Sequence, residues 1–303
     1  MSNTAQTPAV RCDGVRLRYP RQKEEALAGV DLNVMPHTIC GLLGRNAAGK
    51  TSLMALLTGF RRQTGGEIEV FGEKPYENPS VASRVAFVYA NNNELYQEMK
   101  VRDVLKTAAI FREDWNDALA RSLLNAFHVP EKKNVSRLSL GQRAALFCTV
   151  GLASRVPLTI FDEAYSGMDA VYRKIFAEAL LNDFMEYPRT ILFSTHYISE
   201  WDNLFSDVAI IDEGRIVAFG ETDELRGRGA AIIGEAGAVD AFASGKTIMQ
   251  QRSLGAQKEV WLFDLPANER EAAVRQGLSA ERLSLQDLFV GLTRKEGESD
   301  VIQ

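Results

Sequence analysis

Two short stretches hold the residues best suited to chemistry. "GRNAAGKT", from Gly44 to Thr51, has the spacing G-x-x-x-x-G-K-[ST]. Glycines let a backbone close around an oxyanion with no Cβ in the way, and amide N–H groups at the start of a helix present positive potential to it. In such a loop Lys50 reaches the β- and γ-phosphates of a nucleotide, and Thr51 offers its hydroxyl to Mg2+. The phosphate-binding residues are expected to be Gly44, Arg45, Asn46, Ala47, Ala48, Gly49, Lys50, Thr51 and Ser52. The second stretch, "PLTIFDE", ends an apolar run on Asp162 and Glu163. Adjacent acids on a strand point to different sides, so one can hold the metal while the other orients or deprotonates a water. Together the two stretches imply nucleotide hydrolysis without saying what it drives.

These residues need elements to position them. "TICGLLG" is a strand-like run feeding the glycine loop, and "KTSLMALLTG" after it has a helical pattern that Gly59 is placed to end. The apolar run before Asp162 suits a buried parallel strand whose C-terminal end opens on a site, and "RTILFSTH" repeats that design, ending at His196. "GEIEVFGE" and "RVAFVYA" read as further strands, "VRDVLKTAAIF" and "DALARSLLNAF" as helices, and "DVAIIDEGRIVAFG" as a hairpin about Glu213-Gly214. The alternation argues for an α/β core with a partly parallel sheet. Beyond about residue 226 small residues dominate, then "KEVWLFDL" reads as a strand and "ANEREAAVRQG" and "SLQDLFVGLT" as helices. This stretch is expected to form a small appended α+β unit, with a frayed tail after it.

Composition narrows the class. A chain of 303 residues has room for one large unit and a small one, and a net charge of −5 with no basic block argues against nucleic acid as a partner. The three cysteines, Cys12, Cys40 and Cys148, have no metal or redox spacing and read as buried thiols in a reducing compartment. No apolar run approaches the roughly 18–20 residues that span a bilayer. The first ten residues, "MSNTAQTPAV", lack the basic flank and apolar core of a signal peptide. A cytoplasmic protein is expected, reaching a membrane only through another subunit.

Leu138-Ser139-Leu140-Gly141-Gln142, within "RLSLGQR", resembles the LSGGQ signature of ABC-type ATPases, with leucine replacing glycine at the third position. Alone, Ser139 would be an ordinary helix N-cap. Its place shortly before the acid pair and at the head of a helical run is the family's arrangement, and the resemblance covers about residues 10–225. It implies a P-loop NTPase core over residues 1–225, with a helical subdomain at about 91–153, and an accessory α+β unit and tail over 226–303. It implies ATP and Mg2+, with Thr51 and Asp162 as metal ligands and Lys50, Glu163 and His196 as catalytic groups. It further implies that Tyr19 stacks on adenine, that Ser139, Gly141 and Gln142 cover the ATP of a second ATPase subunit, and that Asp169 of "SGMD" lies near that contact. The family's glutamine after "RVAFVYA" is missing, and Ala90 or Asn91 stands in its place; Asn91 carries the same amide on a shorter stem. The C-terminal unit resembles those on ATPase subunits of bacterial antibiotic and multidrug exporters, whose integral membrane subunit is a separate chain. The expected function is therefore to power export from the inner face of the cell membrane. The alternatives are a cytosolic switch of the translation or DNA-repair type and a weakly hydrolysing regulatory module.

Overall fold

The structure, a computed structural model, describes residues 7–89 and 96–294, apart from the side chain of Leu254. Ala90, Asn91 and the expected tail from residue 295 onward lie outside the described residues.

Strands β1 (Val10–Leu17), β2 (Leu27–Val34), β3 (Ile39–Leu43), β4 (Gly65–Val70), β5 (Val85–Tyr89), β6 (Leu158–Asp162), β7 (Thr190–Thr195), β8 (Asp207–Asp212) and β9 (Arg215–Glu221) build two sheets. One is antiparallel, in the order β2-β1-β4; the other has six strands in the order β5-β6-β7-β3-β8-β9. In the larger sheet the first five are parallel and only β9 is antiparallel. Every residue of β3, β6 and β7 is buried, as a strand covered on both faces requires. Glu213 and Gly214 form the tight turn between β8 and β9, both with positive φ. The strand expected in "GEIEVFGE" ends at Val70, because Phe71 turns the chain at φ 51°.

Helices α1 (Lys50–Leu57), α2 (Pro79–Arg84), α3 (Val101–Ile110), α4 (Asp117–Ala126), α5 (Leu140–Ala153), α6 (Ala170–Glu186) and α7 (Ile198–Trp201) flank these sheets. Helix α1 stops where expected: Thr58 is its C-cap and Gly59 follows at φ 75°. Helix α5 starts at a full capping box, with the Ser139 hydroxyl accepting from the Gln142 amide and the Gln142 side chain accepting from the Ser139 amide. Asp169 caps α6 through the Tyr172 amide.

Beyond residue 221 come α8 (Thr222–Arg228), β10 (Ala230–Glu235), α9 (Ala236–Ala243), β11 (Ile248–Leu254), β12 (Gln257–Leu262), α10 (Ala267–Arg275), β13 (Ser279–Arg282) and α11 (Leu285–Leu292). Four of these strands form an antiparallel sheet in the order β11-β12-β10-β13. It has its own apolar core, including Ile232, Val239, Val260 and Leu262. Helix α11 instead turns back: Leu285 is buried in the same cluster as Ile198, Trp201 and Leu225. Among the described residues no helix is long and apolar enough to cross a membrane.

Candidate nucleotide site

The loop after β3 carries the phosphate-binding spacing into α1. Its shape demands glycine at both ends: a Cβ on Gly44 would lie 2.8 Å from the Ile211 carbonyl oxygen, and one on Gly49 would lie 2.8 Å from that of Ala26. Gly49 also sits at φ 113° and Ala47 at 65°, in the left-handed region. Lys50 is folded under the loop and buried; its Nζ donates to the carbonyls of Gly44 at 2.6 Å and Arg45 at 3.2 Å.

Strands β6 and β7 lie side by side with Asp162 in register with Ser194. The Ser194 hydroxyl donates to Asp162 Oδ1 at 2.7 Å, and the Thr51 hydroxyl donates to Oδ2 at 2.7 Å. Asp162 is buried, yet among the described residues no cationic side chain pairs with it. A buried carboxylate that lacks a cation, with a threonine hydroxyl beside it, fits a divalent ion shared with phosphate oxygens. Among the described residues no cluster of three or more His, Cys, Asp or Glu could hold a metal ion.

Glu163 follows at φ 48°, its amide donating to Ser194 Oγ at 3.1 Å. The turn aims its carboxylate at two basic groups, with Oε1 3.6 Å from Lys50 Nζ and Oε2 3.4 Å from His196 Nδ1. Tyr19 sits across the cavity, its hydroxyl 3.0 Å from that of Ser52, and the Arg61 guanidinium lies 4.7 Å above its ring. The guanidinium thus covers one face of the ring. Tyr19, Arg45, Asn46, Ala47, the run Gly49–Ser52, Asp162 and Glu163 line one cavity of about 1060 Å3, ample for a nucleotide triphosphate.

The structure does not bring Ser139, Gly141, Gln142 or Asp169 into that cavity. They form a second face, where signature and "SGMD" turn interlock: a Cβ on Gly141 would meet the Gly167 carbonyl at 2.8 Å, and one on Gly167 would lie 2.5 Å from Leu140 Cγ. Leu140, the departure from the signature, lies over Gly167 with its side chain half exposed. Gln142 is committed to the capping box and donates to the His128 carbonyl at 2.9 Å. Three groups at the site were missed by the sequence reading: Ser194, Tyr165 and Thr293. The carbonyl of Thr293, past the end of α11, accepts from Arg45 Nη1 at 3.4 Å.

A parallel sheet with a phosphate loop at its centre, an acid pair on the next strand but one and a separate helix-capping signature define a P-loop nucleotide hydrolase of the ATP-binding-cassette type. Residues 27–166 match the family profile described as ABC transporter. A fluoroquinolones export ATP-binding protein of Mycobacterium tuberculosis (strain CDC 1551 / Oshkosh) is 31% identical, over 73% of this chain and 73% of the relative. A daunorubicin resistance ATP-binding protein of Streptomyces coeruleorubidus is 28% identical over 94% of this chain and 96% of its own. Among solved structures, an ATP-binding subunit of an ABC transporter superposes with a TM-score of 0.63 at 22% identity, over 72% of this chain and 92% of its own. A dimeric ATP-binding cassette bound to ADP and Pi gives 0.61 at 16% identity, over 70% and 98%. The chain belongs to the ATP-binding proteins of ABC transporters, and it is an ATPase.

Proposed function

We propose that this ATPase powers export through a separate membrane subunit, acting as a dimer closed around two ATP molecules. The observation that carries the catalytic part is that Lys50, Thr51, Asp162 and Glu163 line one cavity, with His196 reaching it through the Glu163 carboxylate at 3.4 Å. Export rests on relatives whose names are those of drug-export and resistance proteins, one of them alike over nearly the whole chain.

In this reading the loop amides and Lys50 hold the β- and γ-phosphates, and adenine stacks on Tyr19, which lines the same cavity. Thr51 and Asp162 would hold Mg2+, with Asn91 a further candidate; the ion supplies neutralisation of charge on the phosphate oxygens. Glu163 orients the attacking water, and His196 holds the γ-phosphate. Ser139, Gly141 and Gln142 stand apart from their own chain's cavity, which suits a role in covering the ATP of the second subunit, with Asp169 at that contact. Closure excludes water and completes a preorganised electrostatic cage. We divide the chain into a nucleotide-binding unit over 1–225, with a helical subdomain at about 91–153, and an accessory unit over 226–303; the separate apolar core around Ile232 supports this. The protein then sits at the inner face of the cell membrane, held there by its membrane subunit.

The test pairs Glu163→Gln with capture of partners from detergent-solubilised membranes. The variant is expected to bind ATP, to lose at least about 100-fold in turnover, the scale of removing one catalytic group, and to accumulate as an ATP-bound dimer. The parental chain is expected to capture a multi-span membrane protein in stoichiometric amount. Parental turnover by the variant would remove Glu163 from the mechanism; ribosomal or DNA-repair proteins in place of a membrane subunit would overturn the transport reading.

A further inference from the structure

Tyr165 follows the acid pair by two residues, yet it is almost wholly buried. Its ring stacks on Phe193 at 5.6 Å with an interplanar angle of 8°, and packs against Trp201 at 5.0 Å. Packing alone would be satisfied by phenylalanine. The hydroxyl is therefore the feature that needs a reason, because a buried O–H is costly unless it is hydrogen-bonded.

That hydroxyl shares a hydrogen bond of 2.7 Å with Thr195 Oγ1, itself fully buried at the end of β7. Each oxygen also accepts from the backbone. The His196 amide donates to the Tyr165 hydroxyl at 3.4 Å, and the Tyr197 amide donates to Thr195 Oγ1 at 3.0 Å. The N–H groups on both sides of His196 are thus held by one pair of hydroxyls. At its other end Tyr165 belongs to the turn that Glu163 starts: the Ser166 amide donates to the Glu163 carbonyl at 2.9 Å and the Met168 amide to the Tyr165 carbonyl at 2.9 Å. Burial pushes the phenol well above its ordinary range, so it stays protonated and available as a donor.

We propose that Tyr165 and Thr195 form a hydroxyl brace that sets the distance between His196 and Glu163, making Tyr165 a positioning residue for ATP hydrolysis. The proposal rests on the roles given above to Glu163 and His196. The imidazole is partly exposed; it meets Glu163 at 3.4 Å and packs on the Tyr197 ring at 4.1 Å, and the backbone that carries both His196 and Tyr197 is the part the two hydroxyls hold. The brace touches neither the phosphate loop nor Tyr19, so it should govern the chemical step and leave nucleotide binding alone.

The test compares Tyr165→Phe, Thr195→Val, Thr195→Ser and the double variant Tyr165→Phe/Thr195→Val in the full chain. Turnover, KM for ATP, affinity for a non-hydrolysable ATP analogue and Tm are measured for each. Tyr165→Phe keeps the ring packing and is expected to fold. Its kcat should fall by about tenfold or more, since misplacement of a reacting group by ~1 Å can cost ~100-fold. KM and analogue affinity should stay within about twofold, the split that marks loss of an interaction acting on the chemical step. Thr195→Val should behave alike, Thr195→Ser should retain turnover, and the double variant should lose scarcely more than either single one. Parental kcat in Tyr165→Phe, equal effects of Val and Ser at 195, or additive losses would each overturn the brace. Glu163→Gln and His196→Ala run alongside: if both turned over at the parental rate, the catalytic reading itself would fall, a result distinct from failure of the brace alone.

Discussion

Asp162→Asn should make the ligand-free protein slightly more stable while removing its response to magnesium. Asp162 is 6% exposed and accepts two hydrogen bonds, from Thr51 and Ser194, each of 2.7 Å. An effective penalty of several kcal/mol for burying an ion is offset in part by these two charge-assisted bonds, about 1.5–3 kcal/mol each. Asparagine keeps one oxygen for one hydroxyl and turns an amide N–H toward the other, whose oxygen can accept it. Neutral bonds are about half as strong, but the ion penalty vanishes, and with no cationic side chain paired to Asp162 among the described residues the balance favours asparagine by about 1 kcal/mol. That raises Tm by about 2–4 °C at this size. A ligand at 100 times its Kd stabilises by about 2.7 kcal/mol. Thermal melts with a non-hydrolysable ATP analogue, with and without Mg2+, should show that gain in the parental protein and little magnesium-dependent gain in the variant. A variant that melts lower without ligand, yet shows the parental magnesium shift, would refute the assignment of Asp162 as the carboxylate that holds the magnesium.

Gly49→Ala places a Cβ 2.8 Å from the Ala26 carbonyl oxygen at φ 113°, so the loop must distort; affinity for a fluorescent ATP analogue should fall at least about tenfold. Asp183 is buried and accepts from Arg155 Nε at 3.0 Å, with Arg189 Nη2 2.8 Å away. Asp183→Ala takes the buried carboxylate from Arg189 and leaves Arg155 only the exposed Glu186 at 3.5 Å; it should cost about 3–5 kcal/mol, lowering Tm by roughly 10 °C in calorimetry. Gly167→Ala drives a Cβ to 2.5 Å from Leu140 Cγ; ATP-dependent dimers of the Glu163→Gln background, measured by light scattering, should weaken and recover in part when Leu140→Gly is added.

The phosphate loop and the Ser139 cap were legible because their physics is local. A loop needs glycines at fixed offsets from its lysine, and a capping box needs its two members three residues apart, so spacing alone carries both. Strand β1 left no comparable trace: its pairing is irregular between Cys12 and Arg16, which breaks the alternation that marks a strand, whereas β2 does alternate over residues 30–34. Helix α2 has only six residues, too short for a helical period to show, although Asn78 and Pro79 at its start are a capping signal. The return of α11 to the nucleotide site is a contact between Arg45 and Thr293, 248 residues apart, and nothing local in either stretch marks it.

Ser194 and Tyr165 were hidden for a different reason. Both sit in stretches that the sequence reading did identify, but β7 is buried along its whole length, so no alternation tells which of its polar residues faces the acids. That choice is made by register. In the parallel pairing of β6 with β7, Asp162 stands beside Ser194, and the following residue, Thr195, is left to meet Tyr165 from the turn beyond Glu163. A slip of one residue would put Phe193 or Thr195 beside the carboxylate and reverse the faces of the strand. The acid proposed to hold the metal, the hydroxyl bonded to it and the proposed brace behind His196 therefore depend on one alignment of two strands. The paired positions along that alignment are the buried apolar side chains Ile160 with Leu192 and Phe161 with Phe193, and Phe193 in turn carries the Tyr165 ring.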